Sequence, residues 1–166
     1  MKYQYAIIAF ATAFLLQSTV LNIFSIFGYT PNLLLCLVIL ISFLYEHNYK
    51  GITLGVIFGL LSDLCFGQYV GIAAIGYLLV GMGVLFTKEI LNRENFGAVI
   101  IVTGFSTIVY NLIYWTISRL LGSPYTFVYM IKGQPFWIAF NMLVISIAYF
   151  TLIGKVTKHR GDRYYR

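Results

Sequence analysis

Acidic side chains are scarce in this chain: five among 166 residues, against eleven lysines and arginines. Charged residues of both signs make up only 10%, where a soluble domain carries about a quarter. A surface so poor in charge cannot keep a globular domain in water, and this excludes an ordinary soluble fold. Cysteine is limited to Cys36 and Cys65, both inside apolar runs. A buried thiol there behaves as a small hydrophobe, so no disulfide is inferred and nothing follows about redox compartment. The two histidines, His47 and His159, have no Cys or carboxylate neighbours at metal-ligand spacing. No glycine-rich phosphate loop follows a strand. Asp63 is the only acid clearly inside an apolar run, so a two-carboxylate mechanism has no second partner. The chain is read as non-enzymatic, with no catalytic, metal or cofactor-binding residues. The net charge of +6 forms no basic stripe of the kind that binds nucleic acid.

What is abundant is apolar sequence: 60% hydrophobic residues and a mean hydropathy of +0.86. A helix crossing the hydrocarbon of a bilayer needs ~20 apolar residues. Six runs approach that length, and the sequence predicts an all-α membrane protein with six transmembrane helices in one bundle. The first run spans Tyr5 to about Phe27. It continues through Val20, Leu21, Ile23 and Phe24, too long for the apolar region of a signal peptide, and is read as a retained helix. A turn at 28–31 follows, with Thr30 placed to cap the next helix and Pro31 suited to its first position. The second run, Pro31 to about Tyr45, is short and reads either as crossing a thinned bilayer or as partly shielded by neighbours. The third is Gly51 to about Phe66, the fourth Gly71 to about Thr87, the fifth Phe96 to about Leu120. Gly122 to Pro135 reads as a long aromatic loop lying on the membrane surface, and Phe136 to about Gly154 as the sixth run. Residues 1–154 thus form a single transmembrane domain, and 155–166 a basic, mobile cytoplasmic tail.

Lys and Arg mark the cytoplasmic loops of membrane proteins. With a cytoplasmic N-terminus, the inside segments hold Lys2, Lys50, Lys88, Arg93, Lys155, Lys158, Arg160, Arg163 and Arg166, and the outside segments only Arg119 and Lys132. Nine against two accounts for all eleven and predicts a multi-pass protein of the cytoplasmic membrane with both termini inside. Tyr3, Tyr45, Tyr49, Tyr69, Tyr125, Phe136 and Trp137 fall near the proposed helix ends, where aromatic rings favour the headgroup level.

Gly51, Gly55 and Gly59 recur every four residues, and Asp63 continues the series. Positions four apart share a helix face, and small residues there let another helix approach closely. Asp63 is costly in lipid, by about 3 kcal/mol or more at the bilayer centre. It reads as a structural carboxylate bonded to neighbouring helices, with Gln17 or the amides near Gly71 as partners. A proton or cation site and a partner contact are the competing readings. Gln17, Ser18, Asn111 and Asn141 are further polar side chains in apolar runs, each able to hydrogen-bond across helices.

Gln17 late in the first run, Pro31-Asn32-Leu33-Leu34 opening the second, Gly51-x-x-x-Gly55-x-x-x-Gly59-Leu60-x-x-Asp63, and then Gly71 and Gly81 together resemble the MreD family of bacterial rod-shape-determining membrane proteins. The match of residues is clear over the first four runs and rests on layout over the last two. The family commonly has an acid after the proline, where this chain has Asn32. The resemblance implies a non-enzymatic component of the machinery that inserts peptidoglycan along the side wall. It also implies complex formation with MreC, and with RodA, an elongation transpeptidase and MreB in a larger assembly. The family is also similar to the six-helix substrate-binding subunits of vitamin transporters of the energy-coupling-factor type. Such a transporter subunit is the alternative function, and an ion or proton carrier working through Asp63 is a third.

Overall fold

The computed structural model describes residues 3–19, 29–44, 49–91, 95–124 and 126–164, without the side chains of 88–89 and 152–164. Among them the chain is all helix apart from turns: α1 Tyr3–Ser18, α2 Leu33–Leu44, α3 Lys50–Phe66, α4 Ile72–Ile90, α5 Phe96–Leu120 and α6 Phe127–Tyr164. Helices satisfy every internal backbone N–H and C=O within one segment, which apolar surroundings demand.

The segment α2 is hydrophobic all round apart from Ser42, and such a helix belongs in the interior. It lies at the centre. Ten of its twelve residues are buried, from Leu34 to Cys36 and from Val38 to Leu44, and each of the other five helices packs against it. Those five form an arc around it in the order α1, α3, α4, α5, α6, with neighbours in contact and no packing between α1 and α6 among the described residues. The shortness of this run is therefore explained by shielding, since protein rather than lipid surrounds it.

Outward faces are apolar as well. On α5, Ile101, Phe105, Ile108 and Leu112 share one exposed face, and on α6 Leu143, Ile147 and Phe150 do the same. The segments Phe96–Leu120 and Phe127–Thr151 are long and apolar enough to cross a membrane, while Leu33–Leu44 and Ile72–Thr87 are shorter apolar helices.

Two expectations need correction. The stretch 127–135 is not loop. Helix α6 starts at Phe127, with the N–H groups of Tyr129 and Met130 bonded to the Thr126 carbonyl, and runs through Gly133 and Pro135 to Tyr164 without a stop at Gly154. A proline inside a helix removes one backbone donor and crowds the preceding turn. Here it falls only two turns from the start, and the apolar residues Phe127 to Ile131 extend the helical pattern ahead of it. The connection between α5 and α6 shrinks to 121–126. Second, Thr30 does not cap α2. Asn32 does, its Oδ1 accepting from the Leu35 N–H at 2.9 Å. Residues 20–28 of the first run, Tyr45, His47, Arg93 and Tyr125 lie outside the described residues, as do the side chains of the basic segment from Lys155 onward.

Candidate functional site

The glycine stripe of α3 is a packing surface. A Cβ at Gly51 would stand 2.9 Å from Ser42 Oγ and 3.1 Å from Ile41 Cγ2 of α2. At Gly55 it would collide with Val38, also of α2, and at Gly59 it would lie 2.6 Å from Tyr77 Cδ2 and 3.1 Å from the Ala74 Cα of α4. The stripe thus seats α3 in the angle between α2 and α4. Gly81 of α4 receives Ile52 in the same way, at 2.6 Å. Gly76 and Gly104, which the sequence reading passed over, do this for Tyr110 and Met142, at 2.8 and 2.7 Å. Isolated glycines give no repeat to notice.

Asp63 ends the stripe and is buried. Its Oδ2 accepts from the Gly71 N–H at 3.0 Å and the Ala73 N–H at 2.8 Å. These are free amides of the first turn of α4, and the positive end of the helix dipole favours a carboxylate there. Gly71 holds φ at 98°, a left-handed conformation that glycine adopts without strain. The turn from α3 to α4 therefore rests on this pair. Gln17 is not a partner of Asp63: its Oε1 accepts from the Leu34 N–H at 3.3 Å and so serves α2 instead.

A second polar knot ties four helices at the start of α2. The Asn32 N–H donates to Asn141 Oδ1 of α6 at 2.8 Å, and the Tyr77 hydroxyl of α4 donates to Asn32 Oδ1 at 2.9 Å. Asn141 Nδ2 donates to Thr107 Oγ1 of α5 at 3.1 Å, and the Cys36 thiol donates to the Asn141 carbonyl at 3.6 Å. Tyr77 in turn stacks on Tyr110, with ring centroids 5.1 Å apart. Pro31, just before this knot, starts the chain into α2 without an N–H to satisfy.

Beside the knot, at the opening between α1 and α6, lies a cavity of about 330 Å³. Its wall includes the amides of Gln17, Asn32, Asn111 and Asn141 and the rings of Tyr114 and Trp137. Asn111 Nδ2 donates to Gln134 Oε1 at 3.1 Å across the wall. An aromatic clasp closes one rim: Tyr29 stacks on Phe136 at 5.0 Å and meets the edge of Trp137 at 5.2 Å. Gly133 leaves room for it, since a Cβ there would lie 2.7 Å from the Tyr29 ring. Phe136 and Trp137, expected at a helix end, lie instead within α6 and serve this clasp. A separate apolar crevice of about 240 Å³ runs between α4 and α5, bounded by Leu79, Gly83, Phe105 and Val109. Among the described residues no group of three or more His, Cys, Asp or Glu could hold a metal ion.

Five helices around a central apolar helix, the α3 glycine stripe and the Asp63 cap fit the pattern that the sequence resembled. The family model for the rod shape-determining protein MreD matches residues 1–157 of the chain. The chain belongs to the MreD family. The MreD proteins are shape-determining structural components of the membrane rather than a known enzyme family, which places this chain in rod-shape determination and in a membrane. Neither the curated proteins nor the solved structures give a significant match.

Proposed function

We propose that this MreD-family chain is a multi-pass scaffold of the cell-elongation machinery, working through a complex with MreC and contributing no chemistry of its own. In that reading RodA, an elongation transpeptidase and MreB belong to the larger assembly. The observation that carries it is the family match across 1–157. Two features support it. Polar side chains at the helix junctions hold helices together: Asp63 bonds α4, Gln17 and Asn32 bond α2, and Asn141 bonds α2 and α5. The outward faces, by contrast, are apolar and unpartnered in the isolated chain, as at Ile101, Phe105, Leu143 and Ile147. A partner with a single membrane helix meets such faces through van der Waals packing. Both termini are cytoplasmic in this scheme, on the nine-to-two distribution of basic residues.

The test is affinity purification of the tagged chain from native membranes in a mild detergent. The expected result is MreC recovered in fixed proportion to the chain. Full recovery of the chain with no MreC, under conditions in which other membrane complexes survive, would overturn the proposal.

A further inference from the structure

The cavity beside α2 has a lining that the scaffold role does not use. Buried side-chain polar atoms are almost always hydrogen-bonded within the protein. Around this opening several side chains are only half buried and keep polar groups unspent. Gln17 spends its Oε1 on Leu34, Asn32 its Oδ1 on Leu35 and Tyr77, and Asn111 its Nδ2 on Gln134. Gln17 Nε2, Asn32 Nδ2, Asn111 Oδ1 and the Tyr114 hydroxyl have no protein partner among the described residues. Nor are they sealed in: the one buried side-chain polar atom without a partner among the described residues is Ser42 Oγ, elsewhere on α2. All four residues face the same cavity. Its volume of about 330 Å³ lies within the ~300–1,000 Å³ usual for small-molecule sites.

The chemistry of the wall selects among ligands. No charged residue lines it, so neither an ammonium nor an anionic group finds a counter-charge. The start of α2 cannot serve as an anion site either. The amides of Asn32, Leu34 and Leu35 already donate to Asn141, Gln17 and Asn32. What remains is neutral, with donors and acceptors mixed, beside the rings of Tyr114 and Trp137. A sugar ring matches on both counts. Its hydroxyls donate and accept as amides do, and its C–H faces lie against aromatic rings.

We propose that this cavity binds a neutral saccharide unit, either free or as the headgroup of a membrane lipid. The inference rests on the cavity alone and stands apart from complex formation with MreC.

The test uses the full chain carrying Trp115→Phe, which leaves Trp137 as the sole tryptophan. Its fluorescence is followed in phosphatidylethanolamine–phosphatidylglycerol nanodiscs during titration with glucose and N-acetylglucosamine, and separately in nanodiscs doped with monoglucosyl diacylglycerol. The expected result is a saturable change in at least one arm. A response to free sugar identifies a soluble ligand, and a response only to the glycolipid identifies a lipid headgroup. Asn111→Ala and Tyr114→Phe should each weaken the apparent affinity about fivefold to tenfold, as loss of one hydrogen bond does. Tyr114→Phe removes a single hydroxyl and keeps the ring, so it reads the site even if Asn111→Ala folds poorly. No saturable change in either arm, or a change that Tyr114→Phe leaves untouched, would overturn the proposal.

Discussion

The Oδ2 atom of Asp63, at the end of α3, lies 2.8 Å from the backbone nitrogen of Ala73, in the first turn of α4. The same oxygen accepts from Gly71, so one atom carries both contacts. Asparagine offers a single carbonyl oxygen that can take the same place, and leucine offers none. Asp63→Asn should therefore keep most of the thermal stability of the purified protein. Asp63→Leu strands the buried Ala73 amide, worth about 1–3 kcal/mol, and the half-buried Gly71 amide, and should lose most of the folded yield. Equal melting temperatures for the two variants would show that the cap is not what holds α4.

The glycine stripe makes a graded prediction. Gly55→Leu and Gly59→Leu drive a side chain into Val38 and Tyr77, respectively, and overpacking of this kind typically costs ~1–3 kcal/mol. Gly83→Ala meets nothing within 4 Å and should be neutral or better, because alanine suits a helix more than glycine does. Denaturation of the three variants in detergent orders them, and a Gly83→Ala as damaging as Gly55→Leu would contradict the packing geometry.

Asn141 joins three helices through its side chain. Replacing it with leucine leaves the Asn32 N–H without its acceptor and Thr107 Oγ1 without its donor. A loss of about 1–3 kcal/mol per stranded group is expected. Tyr77→Phe removes the bond to Asn32 Oδ1, which Leu35 still occupies, and the contact between the Tyr77 and Tyr110 hydroxyls. Interhelical bonds of that kind average ~0.6 kcal/mol each. Thermal melts should therefore rank Asn141→Leu well below Tyr77→Phe, and the reverse order would remove Asn141 from the centre of the network.

The charge distribution predicts a topology. Reporter fusions at Arg166 and within the 121–126 connection should report opposite sides of the membrane, with Arg166 cytoplasmic. The same side for both would remove a span from the scheme.

Much of this architecture was legible because apolar run length and glycine spacing are local properties of the chain. The limits of α5 follow from Asn95, whose side chain accepts from the Gly97 N–H at 2.9 Å, and from the apolar residues after it. The reach of Asp63 to the start of α4 follows from a tight turn and one acid. The start of α6 was not legible: Gly133 and Pro135 carry the signature of a loop, yet Gly133 is where Tyr29 packs, a contact set by the tertiary arrangement. Asn32 as the cap of α2 was likewise obscured by Thr30, a residue of capping type two positions earlier. The cavity could not be read at all, because its wall draws on α1, α2, α5 and α6.

Membership of the MreD family places this chain in rod-shape determination. The most direct measurement is cell width and aspect ratio, imaged over several generations as the chain is depleted in its own host. Progressive widening and rounding is the predicted result, reversed by re-expression of the wild-type chain and by Asp63→Asn, and not by Asp63→Leu. Rods of unchanged dimensions after complete depletion would contradict it.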